Sequence, residues 1–268
     1  REYEREGLLI HEAEVTTERA ARLLGKPCGR YLTLSLEALS RREEEAFPRS
    51  VRVLAALIET LLPPLDSAAP VLIAGLGSRS ITPDAVGPRS ADHVIATRHL
   101  ISRSPEFFAS WRPVSVLAPG VLGQTGVETG EIVRGVLDHV RPRAVIAIDA
   151  LAAGRLSRLV RTVQLADTGI VPGSGVNNAR TALDRQTLGV PVVSIGVPTV
   201  ADGGSLAHEI AQQLDGAQCE ALDDLSQPFI ITTRDIDREV ADTARLIGYA
   251  VNMALQHISV EEIDLYLS

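Results

Sequence analysis

Residues 73–88 read IAGLGSRSITPDAVGP, an apolar run of the kind found in buried strands that opens into a loop bearing Asp84. Residues 145–153 read VIAIDALAA and repeat this arrangement, with Asp149 at the end of the apolar run. In an open parallel sheet, the loops that follow the strands converge at the carboxyl edge, where sites form. Two carboxylates in one cleft can share a proton and activate water. The pattern therefore predicts a site built on Asp84 and Asp149.

The chain around these two runs alternates short Val/Ile-rich segments with helical ones. This alternation is typical of a largely parallel sheet covered by helices on both faces, so we predict an α/β fold with three α/β/α layers. The pattern predicts strands at 71–74, 114–117, 145–148, 162–165 and 192–195, and helices at 91–102 and 128–140.

The two ends of the chain add elements to this core. Apolar residues at near-helical spacing predict a long final helix, and Thr232 with Asp235 is arranged like a capping box at its start. Residues 215–228 have the weakest pattern and predict a loop. The N-terminal part predicts strands at 8–15 and 31–36 and helices at 17–24 and 50–62. We expect one domain over 1–268, with N-terminal strands and helices in 1–65, the α/β core in 70–214 and C-terminal helices in 231–268.

Composition excludes several classes of function. The net charge is -8 and only 3% of the residues are aromatic, so the chain lacks the basic surface and the stacking rings of a nucleic-acid-binding protein. No apolar run approaches the roughly 18 residues of a membrane span. Cys28 and Cys219 form neither a C-x-x-C pair nor a zinc ligand set, which favours a reducing cytoplasm.

A glycine pair in the first loop offers an alternative function. Gly75-x-Gly77 after a strand resembles a dinucleotide-binding fingerprint, but Ser80 stands where its third glycine belongs. Pro83 and Gly87-Pro88 are expected to prevent the helix that this fingerprint needs. We expect the glycines to allow tight backbone packing instead.

Other polar residues have weaker cases. His93 and His99 are candidates for a third metal ligand or a proton carrier, although such histidines are more often partly buried surface residues. No His/Cys ligand spacing is present, so no metal and no cofactor are predicted. When each is taken alone, a capping or turn role is a better explanation than catalysis for Asp84, Asp149 and the further strand-end Asp167. The functional case therefore rests on the pair and on the sequence around it.

That surrounding sequence resembles the bacterial spore germination protease family, the endopeptidases that degrade small acid-soluble spore proteins. The resemblance covers nearly the whole chain and is densest over residues 70–202. Its segments are ITPDAVGP (81–88), ATRHL (96–100), WRPVS (111–115), PGVLGQTGVET (119–129), AIDALAA (147–153), DTGI (167–170), PGSGV (172–176), IGVPTV (195–200) and NMALQH (252–257).

The resemblance implies an α/β/α fold similar to that of hydrogenase-maturation endopeptidases, and a homotetramer. It also implies an atypical aspartic peptidase of the spore core cytoplasm, made as a zymogen, whose catalytic pair matches Asp84 and Asp149. The family's self-removed prosegment would precede Arg1, and residues 215–230 are shorter than is usual in the family.

The expected reaction is hydrolysis of small acid-soluble spore proteins, in which one aspartate activates water and the other, protonated, polarises the scissile carbonyl. The residues leave open which aspartate is which. Two alternatives also stay open: a metal-dependent maturation-type endopeptidase, in which the two acidic residues and a histidine bind a metal, and a dinucleotide-sensing module. No partner other than protein is expected, neither nucleic acid nor membrane.

Overall fold

The computed structural model describes residues 1–173, 180–203 and 229–268. These residues form a nine-stranded sheet flanked by helices. In chain order the strands are β1 (Glu2–Arg5), β2 (Leu8–Val15), β3 (Gly29–Ser35), β4 (Val71–Leu76), β5 (Val114–Gly120), β6 (Ala144–Ala152), β7 (Thr162–Ala166), β8 (Val192–Asp202) and β9 (Ile230–Ile231).

The helices, numbered within the described residues, vary from one turn to six. They are α1 (Glu18–Leu24), α2 (Glu37–Ser40), α3 (Ala46–Leu61), α4 (Val86–Asp92), α5 (Arg98–Arg103), α6 (Pro105–Phe108), α7 (Leu122–Thr125), α8 (Thr129–Val140), α9 (Arg185–Leu188), α10 (Ile236–Gln256) and α11 (Val260–Leu267). Two 3-10 turns add Thr82–Asp84 and Leu156–Arg158.

The centre of the sheet is parallel, as the alternating pattern predicts. Strands β5, β4, β6 and β8 lie side by side in parallel, so their carboxyl ends share one edge. Strands β7, β3, β2 and β1 continue the sheet beyond β8 in antiparallel pairs, and β9 pairs with β8. At this edge lies the loop that bears Asp84, as predicted. Asp149 is not in a loop, because β6 pairs with β8 through Asp149 and continues to Ala152.

Alternate residues of the parallel strands enter two different cores. Ile73 and Ile148 belong to the larger core, which includes apolar residues of α3 and α10. Ala74 and Ala147 belong to the smaller core with apolar residues of α8. Because successive strand residues point to opposite faces, the sheet is covered on both sides. This confirms the predicted three-layer α/β/α arrangement.

The single helix predicted at 91–102 is wrong, because the chain forms α4 and α5 with a break between them. At the break, the Thr97 hydroxyl accepts a 2.8 Å hydrogen bond from the Val114 amide of the neighbouring strand β5. Asn252 of α10 accepts from the Ile95 amide at 2.9 Å and donates to the His93 carbonyl at 2.8 Å. Tertiary hydrogen bonds thus replace the helical ones that local sequence favours.

Two expectations about helix starts are also corrected. Gly87-Pro88 does not prevent a helix, since both residues lie in the first turn of α4, where proline's missing N–H costs no intrahelical bond. The capping box predicted at Thr232 is absent: its hydroxyl donates to the Thr199 carbonyl at 2.7 Å, and the N-cap Asp235 makes no capping bond. The long final helix itself is confirmed as α10.

Among the described residues, no helix is both long enough and apolar enough to cross a membrane. The loop predicted at 215–228 and Cys219 lie outside the residues that the structure describes.

Candidate active site

Asp149 lies near the end of β6, where the predicted strand meets the carboxyl edge of the sheet. It is 5% exposed and stands opposite Gly196 in the register of β6 and β8. Its Oδ1 accepts a 2.9 Å hydrogen bond from the Ala150 amide. Among the described residues, no hydrogen bond reaches the other carboxyl oxygen, Oδ2, so Oδ2 is available to carry a proton.

Asp84 ends the 3-10 turn that follows β4. The Asp84 amide donates to the Ile81 carbonyl at 2.9 Å, and its Oδ2 accepts from the Ser78 amide at 2.7 Å. Gly77 precedes that amide with a φ of 107°, and a Cβ on Gly77 would lie 2.1 Å from the Asp84 carbonyl oxygen. Glycine is thus required where the loop folds back onto Asp84.

A second glycine brings the Asp84 loop close to β6. A Cβ on Gly87 would lie 2.2 Å from the Leu76 carbonyl oxygen and 2.4 Å from the Ile148 carbonyl oxygen. The start of α4 therefore packs directly on the ends of β4 and β6. Since Ile148 immediately precedes Asp149, this contact sets how close the two aspartates come.

The two carboxyls have different electrostatic environments. Burial raises the pKa of Asp149 to about 7, with a further contribution from the negative charge of Asp84. Burial also raises the pKa of Asp84, but the Ser78 amide opposes that rise by donating to its carboxylate. Of the two carboxyls, Asp149 holds its proton more tightly, so a single proton on the pair resides mainly on Asp149.

Three polar side chains near the pair were not singled out by the sequence. The Ser78 and Ser80 hydroxyls lie 2.9 Å apart, and Gln124 Nε2 donates to both, at 2.9 and 3.2 Å. Gln124 belongs to α7, which follows β5. The segment around Gln124 is part of the family resemblance, but no spacing rule marks this residue.

The remaining carboxylate and histidine candidates lie elsewhere. Asp167 Oδ1 accepts from the Arg30 amide at 2.8 Å and thereby joins the ends of β7 and β3. His93 follows α4, with its ring 6.3 Å from that of Tyr249, and its pKa is lowered chiefly by burial. His99 is exposed on α5.

These positions bear on metal binding. Within the described residues, no group of three or more His, Cys, Asp or Glu side chains is placed to hold a metal ion. Neither His93 nor His99 therefore completes a ligand set with the two aspartates.

Close packing takes up the space that a dinucleotide would need at the glycine pair. A Cβ on Gly75 would lie 2.3 Å from the Gly87 carbonyl oxygen, and Gly77 is in contact with Asp84. The backbone of α4 and the 3-10 turn thus fill the place where phosphates would approach. The expectation that these glycines allow tight packing is confirmed.

A cavity of about 250 Å³ lies next to β6, β7 and β8. Gly196, the register partner of Asp149, is one of its lining residues. Leu151 also lines it and lies on the same face of β6 as Asp149, two residues further on. Leu165 and Ile170 add apolar surface. Neither aspartate lines the cavity itself, which is connected to Asp149 through its neighbours Leu151 and Gly196.

Comparison with known proteins identifies the family. The model of the germination protease family matches residues 1–216. A germination protease of Caldanaerobacter subterraneus subsp. tengcongensis is 39% identical over 283 residues, which cover 96% of this chain and 87% of that protein. A germination protease of Clostridium perfringens is 33% identical over 98% of this chain and 89% of its own length. That of Bacillus subtilis is 45% identical over 76% of this chain and 56% of its own length.

Among solved structures, a [NiFe] hydrogenase maturation protease, HycI from Thermococcus kodakarensis KOD1, is similar with a TM-score of 0.40 and 16% sequence identity, covering 73% of this chain and 99% of that one. The family model spans most of the sequence, and relatives named as germination proteases align with nearly all of it. The chain therefore belongs to the germination protease family, and it is a peptidase.

Proposed function

We propose that this protein is an endopeptidase that starts the degradation of small acid-soluble spore proteins during germination, and that Asp84 and Asp149 activate the attacking water. The observation that carries the proposal is the buried Asp149, whose pKa of about 7 lies well above that of an ordinary aspartate because of burial and the nearby charge of Asp84. Perturbed carboxyl pairs of this kind are characteristic of acid–base sites.

The hydrogen bonds and the burial of the two carboxyls support one assignment of the base and the acid. Asp84, ionised and bonded to the Ser78 amide, takes a proton from water as the water oxygen attacks the scissile carbonyl carbon. Asp149 gives its Oδ2 proton to the carbonyl oxygen, which produces a neutral tetrahedral intermediate. When the C–N bond breaks, Asp84 returns its proton to the leaving nitrogen, and Asp149 recovers a proton from the hydroxyl that becomes the new carboxyl group. Each carboxyl thus ends the cycle as it began.

The cavity supplies a place for a substrate side chain on the same face of the sheet as Asp149. In the proposed complex, an extended chain places one side chain over Leu151 and Gly196, which are neighbours of Asp149. Buried apolar contact of this kind orients a substrate and excludes water from the reacting groups. The family resemblance further supports a homotetramer that acts in the cytoplasm of the spore core and is made as a zymogen.

Cleavage of a purified small acid-soluble spore protein tests the proposal. The wild-type protein is expected to cut it at internal sites, and Asp149→Asn, which keeps the Oδ1 acceptor for Ala150, is expected to be folded and inactive. Asp167→Asn is the matched control, because it changes a carboxyl that only joins two strands. No cleavage by the wild type, or equal cleavage by Asp149→Asn, would overturn the proposal.

A further inference from the structure

One side chain links two of the loops at the carboxyl edge of the sheet. Gln124 lies on α7 after β5, whereas Ser78 and Ser80 lie in the loop after β4. Both hydrogens of the Gln124 carboxamide are used, one on each serine hydroxyl, at 2.9 and 3.2 Å. Gln124 therefore crosslinks the two loops and has no amide hydrogen left for a substrate.

The crosslink ends on the residue that binds Asp84. Ser78 is only 1% exposed, and its backbone amide makes the 2.7 Å hydrogen bond to Asp84 Oδ2. Within the described part of the chain, this is the hydrogen bond that the Asp84 carboxylate accepts. Gly77, just before it, has a φ of 107°, a conformation that other residues rarely adopt, so the direction of the Ser78 amide depends on this glycine and on the contacts of the Ser78 side chain. Gln124 restrains Ser78 by donating a hydrogen bond to the Ser78 hydroxyl.

We propose that Gln124 is a positioning residue of this site, acting through the hydroxyls of Ser78 and Ser80 to keep the Ser78 amide aimed at the Asp84 carboxylate. The inference rests on the proposed role of Asp84 as the base. Gln124 touches neither water nor substrate in this role. Its loss lets the Ser78 peptide turn away and leaves Asp84 less well held as the ionised base.

The charged groups around Asp84 lie on other elements, so a substitution at Gln124 leaves them unchanged. Asp149 on β6 is the titratable group whose interaction with Asp84 is resolved. On the elements packed around the 3-10 turn, Asp237 of α10 accepts from the Thr82 hydroxyl, and Asp92 of α4 pairs with Arg79. Gln124 is itself neutral, and α7 carries no charged residue. A change at Gln124 thus alters hydrogen bonding to the loop without changing the net charge.

Kinetics of Gln124→Met on a spore-protein substrate test the inference, because methionine keeps the length of the side chain and removes both donors. We expect kcat to fall about tenfold, the size of one lost hydrogen bond, with KM changed less than about twofold. The acid limb of the pH profile is expected to move to higher pH, since a carboxylate that loses a donor holds its proton more tightly. Thr125→Val is the matched control, because within the described residues that hydroxyl bonds only to backbone groups of Val121 and Val127 and not to the serine loop.

Two further measurements separate positioning from general damage. The Gln124→Met/Ser78→Ala double variant is expected to be little worse than the worse single variant, since both act on one bond. Carbon-13 titration of the Asp84 carboxyl is expected to show a higher pKa in Gln124→Met than in the wild type, whatever the activity.

An unshifted Asp84 titration together with wild-type kcat overturns the inference, as does a fall in melting temperature without a change of pH profile. A fully active Asp84→Asn variant overturns the proposed function instead, and the titration then still decides whether Gln124 positions the carboxylate.

Discussion

The Ser78 amide donates to Asp84 Oδ2 at 2.7 Å, and this bond separates the behaviour of the two aspartates. A donor directed at a carboxylate stabilises its charged form. Asp149 receives a comparable bond from Ala150, but it is more deeply buried and also faces the charge of Asp84. The different environments favour one proton on the two carboxyls, which is the state that the proposed mechanism needs.

The pH dependence of cleavage follows from the protonation states that the proposed mechanism gives to the two aspartates. Activity needs Asp84 ionised and Asp149 protonated, so kcat/KM is expected to follow a bell. The alkaline limb should lie near pH 7, where Asp149 loses its proton, and the acid limb above the ordinary range of aspartate, because burial raises the pKa of Asp84. Initial rates on a short peptide substrate across pH 4 to 9 give the profile. A rate that climbs steadily through pH 7 toward 9 would contradict the assigned roles.

The free energy of unfolding is also expected to depend on pH, and the raised pKa of Asp149 sets the direction of that dependence. The folded pKa of Asp149 is raised above its ordinary value of 3.8 to about 7, so its contribution to stability is fully present below the unfolded pKa and is lost as pH rises through the folded one. Asp149→Asn removes the ionisation and keeps the acceptor for Ala150. We expect this variant to be more stable than the wild type at pH 8, by a few kcal/mol, and the advantage to shrink as pH falls toward 4.

Denaturant unfolding of both proteins at the two pH values measures this difference. Gly135→Ala, which changes no titratable group, is the control, and its stability relative to the wild type should not depend on pH. If the difference between Asp149→Asn and the wild type is the same at both pH values, Asp149 does not titrate in the folded protein as described.

How far the sequence could predict this site depends on which interactions are local. The apolar runs before Asp84 and before Asp149 mark two strands, whose common edge follows from pattern alone, although β6 continues past Asp149 to Ala152. The break between α4 and α5 depends on Asn252, more than 150 positions away in sequence, and no local signal reports it. The strand β7 reads like its parallel neighbours, because alternation of strands and helices shows where a strand is and not its direction.

The contact between α4 and the strand ends makes Gly87 a test of how the pair is assembled. Gly87→Ala places a Cβ within 2.4 Å of two backbone oxygens, so α4 must shift. We expect a loss of stability of about 1–3 kcal/mol, as for other overpacked sites, and a loss of activity larger than stability explains. Gly135→Ala on α8 is the control, since its added Cβ meets nothing within 4 Å and should stabilise the helix slightly. Full activity in Gly87→Ala would show that the approach of α4 does not set the site.

Metal dependence distinguishes this mechanism from that of a metal-dependent maturation-type endopeptidase. Since no three-residue donor group lies among the described residues, extensive dialysis against a chelator is expected to leave the cleavage rate unchanged. The measurement is the rate before and after chelation, with single divalent metals added back. Loss of activity that one metal restores would favour the metal-dependent alternative, and His93 and His99 would then be the first ligands to replace.

The sharing of one proton makes a final prediction about Asp84 and Asp149 together. If the carboxyls act as a unit, either single asparagine variant should lose on the order of 100-fold or more in kcat, and the double variant should be little worse than the worse single one. Independent roles would instead multiply the two losses. The comparison is made with the same spore-protein substrate, with folding of each variant checked by circular dichroism. Should Asp84→Asn prove folded and active, Asp84 is a turn residue that accepts from Ser78, and Asp167 becomes the next carboxyl to test with Asp149, although its bond to the Arg30 amide argues for a structural role.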